Sequence, residues 1–194
     1  SNNAWSQNRN LHFRNKMVEF SVSGEINYID HVMGNTDNRL TGYLTAGIAY
    51  FTHDPEAKDS YGNWHPLQPL GTEGQGWTFG NDPYKLNGIA LPFGMGFKVN
   101  LGPAIAFQME WGLRKTWTDY LDDVSTSYVN PVELRQARGE LALEMADRIL
   151  DLPDDLPHSQ GLQRGDPGLD DKYGYFLASI AFRVSKKPTS CWTQ

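Results

Sequence analysis

The sequence predicts an all-β fold: an antiparallel transmembrane up-and-down β-barrel, with eight strands in the complete protein and about five in this chain, plus a short helix in a long outer loop. Three observations predict it. Long runs alternate between bulky apolar and small or charged residues, the connections between them alternate short and long, and no stretch approaches the roughly 18 consecutive apolar residues of a membrane helix.

The alternation is clearest between residues 86 and 116. In the first run Ile89, Leu91, Phe93, Met95, Phe97 and Val99 share one strand face, and Gly88, Ala90, Pro92, Gly94, Gly96 and Lys98 share the other. After Asn100-Leu101-Gly102-Pro103 the second run sets Ile105, Phe107, Met109, Trp111 and Leu113 against Ala106, Gln108, Glu110, Gly112 and Arg114. A water-soluble sandwich turns its bulky face inward onto an apolar partner. Here the bulky face, with Ile89, Leu91, Phe93, Met95, Phe97, Phe107, Met109 and Trp111, suits lipid, and the glycines and charges suit the crowded inside of a small barrel.

The remaining strands follow the same rule. From Met17 to Ile29, Val18, Phe20, Val22 and Ile26 oppose Glu19, Ser21, Ser23 and Glu25. Between Leu40 and His53, Leu40, Leu44, Ala46, Ile48 and Tyr50 oppose Thr41, Tyr43, Thr45, Gly47 and Ala49. Near the end, Phe176, Ala178, Ile180, Phe182 and Val184 oppose Tyr175, Leu177, Ser179, Ala181 and Arg183. Each run exceeds the roughly 9 to 11 residues a tilted strand needs to cross a bilayer. Tyr28, Tyr50, Trp117, Tyr173 and Trp192 sit near strand ends, where aromatic girdles belong.

Connection lengths orient the strands. The links at 30–38 and 100–103 are short, and those at 54–85 and 117–172 are long. Outer-membrane barrels have short periplasmic turns and long outer loops, so the last strand descends to a periplasmic C-terminus and residues 1–12 belong to an outer loop. Five strands are an odd number, and bacterial barrels are even, so three upstream strands are expected to complete the barrel. The chain then reads as one domain, 1–194, lacking N-terminal strands, with the outer-loop insertion at 117–172. It is expected in the outer membrane of a Gram-negative bacterium as a multi-pass barrel.

An eight-stranded barrel is filled by its side chains, so Glu19, Glu25, Lys98, Glu110, Arg114 and Arg183 are expected to form a charge-compensated lumen cluster rather than an open pore. The net charge of −6 and pI near 5.3 argue against nucleic acid as a partner, and the mean hydropathy of −0.54 excludes a helical membrane protein. Cys191 has no internal partner in a chain with one cysteine.

In the long connections, Gly71-Thr72-Glu73-Gly74-Gln75-Gly76 lacks the Lys-Ser/Thr ending of a phosphate loop and reads as a packed turn. Asn130-Pro131-Val132-Glu133 is a helix start, and Leu134, Ala137, Leu141, Met145 and Ile149 recur at helical spacing, predicting a helix near 131–150 with Gly139 as a weak point. Asp119, Asp122 and Asp123 lack the spacing of a calcium loop, and the five histidines lack metal-ligand spacing. No catalytic, cofactor-binding or metal site is predicted.

Asn10–Asn15, Leu67–Gly76, Arg164-Gly165-Asp166-Pro167, and above all Glu110–Ser125 with its Arg-Lys-Thr-Trp-Thr-Asp-Tyr-Leu-Asp-Asp-Val-Ser run, resemble the PorG-like outer-membrane barrels. That resemblance implies a non-enzymatic component of the type IX protein secretion machinery. It also implies association with a periplasmic ring of PorK-type lipoprotein and PorN-type protein, in a membrane of lipid and lipopolysaccharide. In the deduced orientation the surface available to the ring is Gly34, Asn35 and Gly102 in the short turns, with Lys186, Lys187 and Cys191 in the tail. The alternative is a small outer-membrane lipid A-modifying enzyme, which would need a nucleophile and base at the lipid face or an apolar acyl pocket.

Overall fold

In a computed structural model of the protein, the described residues are 10–35, 37–77, 82–149 and 159–184. The tail residues Lys186, Lys187, Cys191 and Trp192 lie outside them. The alternating runs become long strands: β1 (Arg14–Asn27), β2 (Leu40–Lys58), β4 (Asn87–Asn100), β5 (Ile105–Thr116) and β6 (Lys172–Phe182), with a short β3 (Trp64–Pro66). The sheet is ordered β1-β2-β4-β5-β6, and β3 pairs antiparallel with the end of β2, Glu56 opposite Pro66. Among the described residues β1 and β6 are the two edges, so the fold is an antiparallel sheet with two short helices. No helix among the described residues is long and apolar enough to cross a membrane.

Three boundaries depart from the sequence reading. β2 runs on to Lys58, beyond His53, because its last residues pair with β3 and so keep their backbone groups satisfied. β1 begins at Arg14. The single helix expected near 131–150 is two: α1 (Pro131–Arg138) and α2 (Glu140–Ala146). Gly139 at φ +88° stops α1, a conformation a side chain would resist, and the chain restarts at once. Asn130 caps α1 as expected, its side-chain oxygen accepting from the Val132 and Glu133 amides at 2.9 and 3.4 Å.

The chain divides into two compact units. The first comprises Ser1–Phe20, Tyr50–Ala90 and Thr116–Asp171, and holds the long connections. Its apolar residues are gathered inside: Leu134, Ala142 and Ala146 form one buried cluster, and Ala57, Leu67 and Met145 another, with Leu70 packed against both.

The second comprises Ser21–Ala49, Leu91–Lys115 and Lys172–Gln194, and is built of strands and their short turns. Its burial is inverted. Thr41, Tyr43, Ala49, Pro92, Ala106 and Gly112 are buried, while Leu44, Ile48, Leu91, Phe93, Met95, Trp111 and Phe176 are exposed on the opposite face. The β5–β6 register makes the pattern explicit. Ile105 faces Phe182, Phe107 faces Ile180, Met109 faces Ala178 and Trp111 faces Phe176, all on the apolar side.

Candidate functional site

The polar face of the strand unit is a ladder of hydrogen bonds centred on Glu110. One carboxylate oxygen accepts from the Tyr43 hydroxyl at 2.8 Å and the other from the Tyr175 hydroxyl. Gln108 donates to Tyr43 at 2.6 Å. Tyr43 stands on β2 and Glu110 on β5, with β4 between them, so the phenol must cross a whole strand. It can because position 96 is glycine: a Cβ there would meet the Tyr43 ring at 2.5 Å. Gly112 clears the way for Tyr175 in the same manner. The small residues read from the sequence as crowding relief are therefore floor tiles under two tyrosines.

The six residues predicted for the lumen cluster take part in several different contacts. Lys98 pairs with Glu25 and lies 4.7 Å from the centre of the Tyr43 ring. Glu110 is satisfied by the tyrosines instead of by a cation, and the Arg114 guanidinium lies 4.2 Å over the Tyr175 ring. Arg183 falls just past the end of β6 and its guanidinium approaches the β1–β2 turn at Gly34. Glu19 is half-buried on β1. Of the residues expected to face away from this ladder, Ile89, Leu91, Phe93, Met95, Phe97 and Trp111 are exposed. Phe107 and Met109 are half-buried, and the Phe107 ring lies 6.4 Å from that of Phe97.

The two short turns are joined into one platform. Asn100 donates to the carbonyls of Val32 and Asn35 at 3.0 and 3.1 Å. Gly34, at φ +80°, sits so close to the Pro103 carbonyl that no Cβ would fit. Gly102 opens outward with free space around it. Gly34, Asn35 and Gly102, named from the sequence as one candidate partner surface, are thus brought to one end of the strand unit.

The long connections hold a site that the sequence reading missed. Arg164, 1% exposed, reaches Glu73 at 3.0 Å and Asp123 at 3.6 Å, and also donates to the carbonyls of Asp123 and Ala146. Glu73 accepts from the Ser125 amide at 2.9 Å, the Thr126 amide at 3.0 Å and the Thr126 hydroxyl at 2.8 Å. Asp123 accepts from the Thr72 and Tyr84 hydroxyls at 2.5 and 2.7 Å. A buried charge of either sign is costly alone, and this node leaves none without a partner. Burial pushes the Asp123 carboxyl above its ordinary range, while for Arg164 the burial penalty is outweighed by Asp123 and Glu73, which hold the guanidinium charged.

The Gly71–Gly76 run is a packed turn, as its sequence indicates, and its role is to deliver Glu73 and Thr72 to this node. The signal that could have found the node is a lone Arg164 and Asp123 in otherwise irregular segments, but 91 residues separate Arg164 from Glu73. Nearby, burial pushes Asp119 and Asp122 up to about 6. Among the described residues no group of three or more His, Cys, Asp or Glu is arranged to hold a metal ion. His12 accepts from the Lys58 amide at 3.1 Å and His65 pairs with Asp59 at 2.9 Å. His158 lies outside the described residues.

A family model described as a domain of unknown function, DUF6089, matches residues 1–62. That stretch carries β1, β2 and the short turn between them. No curated protein and no solved structure matches the chain.

Proposed function

We propose that the protein is a non-enzymatic outer-membrane β-barrel component of the type IX secretion machinery, anchoring or associating with a periplasmic ring of PorK-type and PorN-type proteins. The observation that carries the membrane part is the inverted strand unit: exposed bulky side chains on one face, a satisfied polar ladder on the other. In water such an exposed apolar surface is an aggregation hazard, and in lipid it is the favoured outer surface. The type IX assignment rests on the resemblance of Glu110–Ser125 and the other quoted segments to PorG-like barrels. The short-turn platform of Gly34, Asn35 and Gly102 supports the ring contact, because it is rigidly cross-linked through Asn100 and presents backbone to whatever lies beneath the turns.

Co-purification from detergent-solubilised envelopes tests this reading. The full-length protein is expected to bring down the ring components, and a variant with the turn around Gly34-Asn35 rewritten is expected to lose them while keeping the heat-modifiable mobility of a folded barrel. Replacing exposed residues of α1 should leave the ring attached. Mass spectrometry of lipid A from the same cells addresses the enzyme alternative: deletion that alters lipid A acylation, with ring assembly intact, would replace the secretion reading with the enzymatic one.

A further inference from the structure

We propose that Lys115 and Lys172 clamp the phosphate of a lipid headgroup at the end of the β5–β6 ladder, with the acyl chains of that lipid lying along the apolar pairs beyond. This rests on the membrane reading above and deepens it, naming a lipid class and the residues that take it.

The register places the two lysines directly opposite each other. Both have the parity of the apolar face, following Trp111 opposite Phe176 and Leu113 opposite Gly174, and both are exposed. The type of pair follows from the neighbouring bonds. The Thr116 amide donates to the Asp171 carbonyl, and at the far end the Arg183 amide donates to the Ala104 carbonyl. Hydrogen-bonded and non-hydrogen-bonded pairs alternate in an antiparallel ladder, so the even positions of β5 are the bonded ones and Lys115–Lys172 is of the closer, non-bonded kind. Like charges directly opposite each other destabilise a sheet. Among the described residues neither lysine forms an ion pair that would offset this, and the neighbouring Asp171 gives its carboxylate to the Leu121 amide at 2.9 Å. In a chain whose net charge is −6, two adjoining ammonium groups on an apolar face mark a place for an anion.

The position along the strand selects a lipid anion. From Leu113 to Ile105 the apolar pairs cover eight residue steps, roughly 27 Å of strand, which at a tilt near 45° spans about 20 Å of membrane thickness and approaches the ~25 Å apolar band of an outer-membrane barrel. Lys115 and Lys172 fall one pair past its end, at headgroup level. Their stems can lie along the apolar surface while the ammonium groups reach the interface. Gly174 offers no side chain beside them, so Leu113 alone fills that step. Two strongly hydrated point charges close together suit the several oxygens of a phosphate.

The test uses the folded full-length protein inserted in phosphatidylcholine vesicles containing either bisphosphorylated lipid A or its dephosphorylated form. Native mass spectrometry after mild extraction reads the retained lipid. Wild type is expected to retain the phosphorylated form in preference, and Lys115→Gln and Lys172→Gln each to weaken retention about fivefold, the factor equivalent to the ~1 kcal/mol of one basic side chain at a charged lipid surface. Arg135→Gln, on α1, should change nothing. Wild type without preference for phosphorylated lipid, or a double variant that retains it as well as wild type, overturns the site. Failure of wild type to insert, read by heat-modifiability and protease protection, overturns the membrane reading together with it.

Discussion

The two units of this chain solve the burial problem in opposite ways. The unit of long connections gathers Leu134, Ala142, Met145 and Ala146 inside and ties irregular backbone together with a fully paired ion node. The strand unit exposes its largest apolar residues and buries Thr41 and Gly112, with Tyr43 buried against a hydrogen-bonded carboxylate. The first pattern is what water imposes on a protein. The second is the pattern that the proposed membrane reading requires, with an apolar solvent outside and a polar interior. Both patterns occur within single strands, since β1, β2, β4 and β5 each contribute residues to both units.

The largest expected effect comes from breaking the ion node. Arg164→Met leaves Glu73 and Asp123 buried without their cation and should cost about 3–5 kcal/mol in the long connections. Limited proteolysis should then cut segments 59–86 and 117–171 while the strand unit stays protected. Simultaneous loss of both would show that the two units do not unfold separately.

Next comes the exposed face itself. Phe93→Arg should destabilise the inserted protein by about 2–4 kcal/mol if the site meets the bilayer midplane. The same change on a water-facing surface would fall within about 0.5 kcal/mol. Urea unfolding from vesicles distinguishes the two, and a near-neutral result removes the inverted-solvent explanation.

The polar ladder should be more forgiving than the node. Tyr43→Phe removes one of the two hydroxyls on Glu110 and leaves that of Tyr175, so the expected cost is about 1 kcal/mol. Gly96→Val should cost more than Tyr43→Phe, because the added side chain meets both the Met109 backbone carbonyl and the Tyr43 ring that crosses it. Adding Gly96→Val to Tyr43→Ala should cost less than in wild type, and a double-mutant cycle reads that coupling.

The smallest effect is a pH dependence confined to the long connections. Asp119 and Asp122 are raised by burial to about 6, so between their ordinary range near 4 and pH 6 the folded form binds more protons than the unfolded one. Stability of this unit should therefore rise, not fall, as pH drops from 7 to about 5. Hydrogen exchange in segment 117–127, with Asp119→Asn and Asp122→Asn reducing the trend while Asp123 and Asp171, also raised by burial, retain part of it, checks the sign.

Strand positions and faces were legible from residue alternation because period 2 depends only on backbone geometry. Hence Ile89, Phe93 and Trp111 share the apolar side of the sheet with no further information. The turn at Gly71–Gly76 and the cap at Asn130 were legible for a similarly local reason. Pairings across distance were not. Glu110 offered several equally plausible cationic partners by parity, and which neighbour fills its lone pairs depends on strand order and on the gaps left by Gly96 and Gly112. Gly139 was visible as a weak point, but whether a helix bends or stops there depends on the backbone conformation it adopts, here φ +88° at an exposed position with open space around it.

By itself, then, the sequence determined the five long strands, which side chains share a face, and the short turns between them, because these follow from local geometry and side-chain type, whereas β3 and the extension of β2 that pairs with it needed the tertiary structure. Only the tertiary structure decided that Arg164 meets Glu73 and Asp123, that Tyr43 and Tyr175 converge on Glu110, and that Lys115 stands opposite Lys172. Those meetings depend on strand order, register and the folding back of the long connections. Each is a balance of desolvation against pairing summed over segments far apart in the chain, and no local pattern encodes such a sum.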